Sequence, residues 1–334
     1  MAGKTILFET LTRSNGRQYQ KSENRTATID VPDDRVDTLR TLYQPQKTTY
    51  AKVEYFLPGM TMASPLKACE QKWAEVRNSD AFIHVIRNFR NSAFEDPDPS
   101  ADCQKIEDEL ILADMIVTEK RLERLEAEKR KGRDYQAEEY QLILEVHALL
   151  ETGQPIRSDS RLAGHPLLKG YTFLSGKPKL TIFNNDDNDT NMPDFSENSP
   201  SSGSLMIRGK LEHEISRMTR EDSEDFLREY LIHDLARDRV IRKSYELLGL
   251  ISFFTVGEDE VRAWTVRKGV TALEAAAEIH SDIQKGFIRA ETVSYNDLIS
   301  AGSYTEARKR GTVRLEGKTY TVQDGDIMNF RFNI

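Results

Sequence analysis

The chain has 334 residues, 38% of them hydrophobic and 31% charged, with a net charge of −8. That is enough apolar material for two or three domains, with no run approaching the about 18 apolar residues of a membrane-spanning helix. Cys69 and Cys103 make neither a disulfide framework nor a four-cysteine metal site, Glu9 interrupts the short apolar N-terminal stretch where a secretory leader would need none, and the acidity excludes a protein coating nucleic acid over its whole surface, though not a local basic contact.

In chain order, Ile6, Leu7 and Leu11 fall at helical spacing after Gly3-Lys4-Thr5, and residues 26–31 alternate as a strand ending at Pro32. A second strand, 53–59, stops at Pro58-Gly59. The apolar, β-branched run 80–89 reads as a strand buried on both faces, and apolar strands alternating with helices predict a largely parallel α/β sheet. From about 104 to 151 the period becomes helical, through Ile106, Leu110, Ala113 and Val117 and then Tyr140, Ile143, Val146 and Leu150, with Lys131-Gly132-Arg133-Asp134 between the two runs. This predicts an antiparallel helical hairpin. The α/β pattern resumes with a strand at 178–185 ending in Asn and Asp, an acidic Ser/Asn-rich loop over 185–204, a strand over 204–210 and helices through 221–249. The last 80 or so residues form a separate unit: a strand at 261–266, one helix over 271–285, and three strands separated by turns over 311–334. One helix on a small mixed sheet suggests a ubiquitin-like β-grasp.

Three features carry possible chemistry. Gly3-Lys4-Thr5 opens a helix. Phosphate binding uses backbone N–H groups at a helix start, a Lys for the charge and a Thr hydroxyl for Mg²⁺. The tripeptide alone is equally an ordinary helix start. Residues 183–187 (FNNDD) end a strand where a nucleotide base is read in P-loop proteins, or else simply open an Asn/Asp turn. The hairpin tip holds seven basic residues against three acidic ones between 120 and 133. It is either a solvated helix end or, the reading preferred in so acidic a chain, a contact surface for RNA built from Arg124, Lys129, Arg130, Lys131 and Arg133. His84 lies within an apolar strand and reads as a packed residue, and the six histidines show no metal-ligand spacing.

Residues 238–265 (DRVIRKSYELLGLISFFTVGEDEVRAWT), 279–299 and 317–334, with 31–39, 79–89 and 109–125, resemble the YchF (Obg-like ATPase) family of translation-factor-class P-loop NTPases over nearly the full length. The resemblance implies a P-loop nucleotide domain (1–103 and 152–250) interrupted by the helical hairpin (104–151) and followed by a TGS β-grasp domain (251–334). The chain begins where the family's first strand has already passed, so that strand is expected to be encoded upstream, the alternative being a copy that has lost it. The resemblance also implies nucleotide-dependent ribosome association by a cytoplasmic monomer that touches no membrane, with ATP and Mg²⁺ (GTP as the alternative base) held by Gly3, Lys4, Thr5, Asn184, Asp187, Gly209 and Lys210, Thr5 serving the metal. No Lys stands in the 184–187 motif to stack on guanine. The family's switch II Asp is missing from Glu54–Gly59, the segment that follows is replaced by residues 61–73, switch I is shortened across 14–25, and 91–98 lacks the family's proposed catalytic histidine. The expectation is weak or altered hydrolysis. The rival reading is a nucleotide-independent ribosome- or RNA-binding adaptor.

Overall fold

The computed structural model describes residues 2–13, 23–59, 73–93, 95–131, 136–194 and 202–333. The helices are α1 (Lys4–Thr12), α2 (Asp34–Tyr43), α3 (Pro99–Arg130), α4 (Ala137–Glu151), α5 (Ser160–Gly164), α6 (Gly209–Ile215), α7 (Arg220–Glu229), α8 (Ala236–Leu247), α9 (Ala272–Ile279), α10 (Ser281–Lys285), α11 (Tyr295–Ala301) and α12 (Tyr304–Lys309). The strands are β1 (Arg25–Asp30), β2 (Lys47–Thr49), β3 (Lys52–Leu57), β4 (Phe82–Asn88), β5 (Lys179–Asn185), β6 (Ser202–Ile207), β7 (Leu250–Val256), β8 (Glu260–Arg267), β9 (Phe287–Ser294), β10 (Arg314–Glu316) and β11 (Asp326–Phe332). They form two units: Met1–Ala27 with Tyr55–Val240, and Thr28–Glu54 with Ile241–Ile334.

In the first unit, β4, β5 and β6 form a parallel sheet with β5 in the middle. Every residue of β5 is buried, as expected for a central parallel strand covered on both faces. The expectation of double burial for 80–89 needs correcting. β4 is an edge strand of the sheet, and only Val85 and Ile86 on it are buried. β6 ends at Ile207, so Gly209 and Lys210, read as strand from the sequence, instead open α6.

The hairpin is α3 and α4. Asp98 caps α3 by accepting from the Ala101 N–H, and Pro99 follows in the first turn, where its missing N–H costs nothing. Ile111 packs with Leu142, Ile143, Val146 and Leu150. The cross-pairs Thr118–His147 (2.9 Å) and Arg121–Glu139 (2.7 Å) run in opposite sequence directions, which makes the hairpin antiparallel. Its root is polar and buried. Asp114, with no exposed surface, accepts from the Leu174 N–H (3.0 Å), the Ser175 N–H (2.7 Å) and the Ser175 hydroxyl (2.8 Å). Glu107 pairs with Arg157 and, at 2.6 Å, with Lys179 at the start of β5. Both cations are buried, and buried charge is tolerated only when paired this way.

The second unit is a six-stranded mixed sheet in the order β10-β9-β11-β7-β8-β2. Phe253 and Phe254 are adjacent and both fully buried, because β7 is covered on both faces. On one face Phe253 joins Ile251, Val266, Phe287, Met328 and Phe330 against the small residues Ala272, Ala275 and Ala276 of α9. On the other, the Arg35 guanidinium lies 5.1 Å from the Phe254 ring centroid and donates to Asp33 and Asp324, and Tyr245 donates to the Ile251 carbonyl at 3.0 Å. Residues 28–54, placed with the nucleotide domain on sequence, therefore cluster with the C-terminal unit: α2 packs on β8, and β2 extends the sheet by pairing parallel with β8. Two further expectations change. The helix over 271–285 breaks at His280, whose extended backbone and side chain cap α10 through the Asp282 N–H. Of the three strands expected over 311–334, the middle one is reduced to a single bridge between Thr321 and Thr271.

Arg121's hydrogen bonds, with that of Tyr171, hold the Glu139 carboxyl below its ordinary range, while burial and Glu139 push the Tyr171 phenol up to about 12. A depressed carboxyl contributes stability above its unfolded value of about 4.3 and loses it as pH falls through the folded one. Thermal unfolding followed by circular dichroism should therefore show an acid-side loss of stability that Glu139→Gln diminishes. An identical acid limb in the variant would remove Glu139 from the account.

Candidate nucleotide site

Gly3 caps α1 with φ at 96°, a left-handed conformation suited to glycine, and a Cβ there would lie 2.4 Å from Asn184 Nδ2. No side chain caps the helix and no acid stands in its first turn. Its opening N–H groups thus present the positive end of the helix dipole. Lys4 and Thr5 are exposed at this start, one bringing an ammonium and the other a hydroxyl.

Asn184, one residue before the end of β5, is the joint. Its Nδ2 donates to the Ala2 carbonyl at 3.1 Å and its Oδ1 accepts from the Gly209 N–H at 2.9 Å. Gly209 leaves no room for a side chain there, since a Cβ would sit 2.6 Å from Asn184 Oδ1. The structure thus brings Gly3, Asn184 and Gly209, which lie far apart in sequence, into direct contact. Asp187 and Lys210 stand beside them, with Lys210 Nζ 4.0 Å from Asp187 Oδ2.

Sequence reasoning missed the groups that hold this arrangement. Glu212, 2% exposed, accepts from the Arg208 N–H at 3.1 Å and from the Ala236 N–H, and pairs with Arg239 at 3.3 Å. It fixes the starts of α6 and α8 together. Arg208 donates to the Tyr230 carbonyl at 2.9 Å and to the Asp187 carbonyl at 3.4 Å, tying the loop after β5 to the end of α7. Asn185 donates to the Asn191 carbonyl at 2.7 Å and accepts from Asn88 at 2.9 Å, so it shapes that loop rather than facing a ligand. Thr10 and His213 bond at 3.0 Å where α1 meets α6, which gives His213 a packing role. The sequence signals for these were the 183–187 motif, which contains Asn185, and the Arg-Gly-Lys tripeptide at 208–210; Glu212 and Thr10 had none.

The Gly3–Thr5 start fits a nucleotide's phosphates and its Mg²⁺: uncapped N–H donors, a Lys charge and a Thr oxygen suited to a hard cation. At the hairpin, Arg124, Lys129, Arg130 and Lys131 are exposed, while Arg133 lies outside the described residues. Lys129 lies over the Tyr140 ring at 5.3 Å and Arg130 pairs with Glu126 at 3.6 Å. Arg121, counted in the basic tip, turns to Glu139 and Tyr171 instead. Residues 14–22 and 61–72, where switch segments were expected, also lie outside the described residues.

Residues 250–333 match the model of the family YchF-GTPase_C, described as a protein of unknown function (DUF933). The chain is 36% identical over 354 residues to the ribosome-binding ATPase YchF of Bacillus subtilis, spanning 99% of this chain and 96% of that one. It is 33% identical over 353 residues to the protein of the same name from Escherichia coli O157:H7, with the same coverage. A solved structure, the Schizosaccharomyces pombe YchF GTPase, superposes with a TM-score of 0.84 at 30% identity, over 99% of this chain and 95% of that one. The α/β fold expected from the sequence is the fold of that structure.

Asn184→Ala leaves the Gly209 N–H and the Ala2 carbonyl without their partner, so it should cost about 1–3 kcal/mol of stability in denaturant titration. Gly209→Ala should weaken the same joint by forcing Asn184 aside. Unfolding midpoints equal to the parent's in both variants would show that the joint carries no stability.

Proposed function

The chain belongs to the YchF family, through relatives 33–36% identical across 99% of its length, and on that footing we propose that it is a cytoplasmic, ribosome-associated protein that binds ATP with Mg²⁺. The observation that carries the reading is the convergence of an uncapped, Lys- and Thr-bearing helix start with Asn184 and Gly209 at the end of a buried parallel strand. Ligands of open α/β sheets lie at the carboxyl ends of the strands, and Asn184 is at that end of β5. In this reading Gly3, Lys4 and Thr5 hold the phosphates and the metal. Asn184, Asp187, Gly209 and Lys210 border the base. Because Asn184 already spends its amide on the protein backbone, its part is to position the neighbouring groups, and Asp187, with Lys210 beside it, is the acid that borders the base edge.

The absence of a lysine between Asn184 and Asp187 favours ATP over GTP. The Glu54–Gly59 segment offers the metal no Asp, so hydrolysis is slower than in relatives that keep one, by on the order of 10²–10³ for each lost electrostatic group. The protein acts as a monomer. Its nucleotide unit positions the hairpin, whose basic end meets ribosomal RNA.

Titration with a fluorescent ATP analogue tests the site. Lys4→Ala should weaken binding at least tenfold, and unlabelled ATP should compete at least as well as GTP. Equal binding by Lys4→Ala, or clear GTP preference, would overturn the assignment. For the hairpin, replacing Arg124, Lys129, Arg130, Lys131 and Arg133 with Gln should reduce ribosome cosedimentation and flatten its salt dependence, because each phosphate contact releases counterions. Cosedimentation unchanged by that replacement would rule the tip out.

A further inference from the structure

The end of α7 holds a leucine where glycine would serve the fold better. After Glu229, the last helical residue, Tyr230 closes the turn and Leu231 takes the left-handed conformation, with φ at 52°. The Leu231 N–H donates to the Arg228 carbonyl at 3.2 Å, and the Ile232 N–H to the Leu227 carbonyl at 2.8 Å. These are the two bonds of a Schellman cap, whose left-handed position favours glycine because a Cβ crowds the backbone there. The apolar contact that accompanies such a cap is made as well: Ile232 is buried with Leu211 and Ile215, and Leu227 packs against that cluster. The cap is thus complete without the Leu231 side chain. That side chain is 77% exposed, the most of any large hydrophobic among the described residues. A lone exposed leucine is ordinary; one held at a strained position, outside the core, is a candidate contact.

Leu231 does not stand alone. Phe226 is 36% exposed, and its ring stacks on that of Tyr230, the residue before Leu231, with centroids 6.3 Å apart and planes 4° from parallel. Tyr230 is itself anchored, because Arg208 donates to its carbonyl at 2.9 Å and lies 5.9 Å from its ring centroid. The three residues form an apolar knuckle on a fixed helix end, and acids flank it. Asp222 and Glu229, four residues before and three after Phe226, share its side of the helix, and both are exposed. Between 219 and 234 the chain has six acids and two arginines. One of those arginines, Arg228, is already shared by Glu224 and Asp225, at 3.9 and 3.3 Å. Such a rim repels an RNA backbone or an anionic bilayer. It matches a polypeptide of the reverse chemistry, an apolar face bordered by Lys and Arg.

We propose that Phe226, Tyr230 and Leu231 form a docking knuckle for a cationic amphipathic segment of a partner protein. Leu231 is the anchor, and the acids orient the partner and speed its arrival. Docking of this kind requires neither ATP nor a ribosome, so it can be tested apart from both.

The experiment uses the full chain and Leu231→Gly, which keeps every charge and the cap. The probe is a fluorescein-labelled helical peptide of about 18 residues, five turns, with Lys on one face and Leu on the other. A matched peptide carries Glu in place of Lys. The parent chain should bind the Lys peptide and not the Glu peptide. Leu231→Gly should weaken that binding at least tenfold, and Leu231→Met should restore it. The melting temperature of Leu231→Gly should be unchanged or up to about 3 °C higher, because the strain at φ 52° has been relieved. The smaller loss expected of Glu229→Gln should fade as salt is raised from about 50 to 500 mM, while the loss in Leu231→Gly persists. No binding by the parent, or equal affinity in the parent and Leu231→Gly, would overturn the proposal, since at most unspecific negative charge would then be acting. A lower melting temperature in Leu231→Gly would overturn it too, by showing that the side chain serves the fold. A parent dimer in sedimentation velocity that Leu231→Gly dissociates would give the knuckle to a second copy and overturn the cationic partner.

Discussion

A single buried amide organises the nucleotide unit. Asn184 can both donate and accept, and it spends one bond on each of two segments: the backbone before α1 and the backbone that opens α6. Either contact alone would align one helix with the strand. The two together fix the starts of both helices against one strand end. Gly3 and Gly209 follow from this, because any side chain at either position would occupy the space of the amide. Glu212 repeats the device one layer out, joining the starts of α6 and α8. Neutral and charged hydrogen bonds at helix starts thus do here what apolar packing does in the β-grasp core.

Much of this was legible in the sequence, and the reasons are specific. β5 announces itself as an apolar run ending in Asn and Asp. The hairpin is a change of hydrophobic period, and the C-terminal unit is a run of family-specific residues. The edge position of β4 was not legible, because burial depends on which neighbours a strand acquires and the run FIHVIR looks the same in either place. The break at His280 was hidden because the apolar period passes through it, while the cap works through one local bond to the Asp282 N–H. The allegiance of residues 28–54 was invisible for another reason: Arg35, Asp33 and Asp324 are ordinary surface residue types, and only the fold shows that they meet over Phe254.

At the site, Gly3, Asn184 and Gly209 stood out individually as residues of the right type, but their mutual contact is a property of topology. Glu212 and Arg208 gave no signal beyond an acidic and a basic residue near a glycine. The charge count at the hairpin tip also needed the structure, since the half-buried Arg121 is already paired with Glu139.

The root of the hairpin has a mechanical consequence. Glu107 is clamped by Arg157 and by Lys179, the first residue of the strand that ends in Asn184. Helix and strand therefore share a buried, charged pivot with little freedom to slip. From Glu107 to the end of α3 at Arg130 is about 35 Å of continuous helix at roughly 1.5 Å per residue. A tilt of about 5° at the pivot carries the far end through about 3 Å, which is the difference between a hydrogen bond and none. Any small angular change at that ion-paired anchor would be multiplied along the length of α3 before it reached the tip.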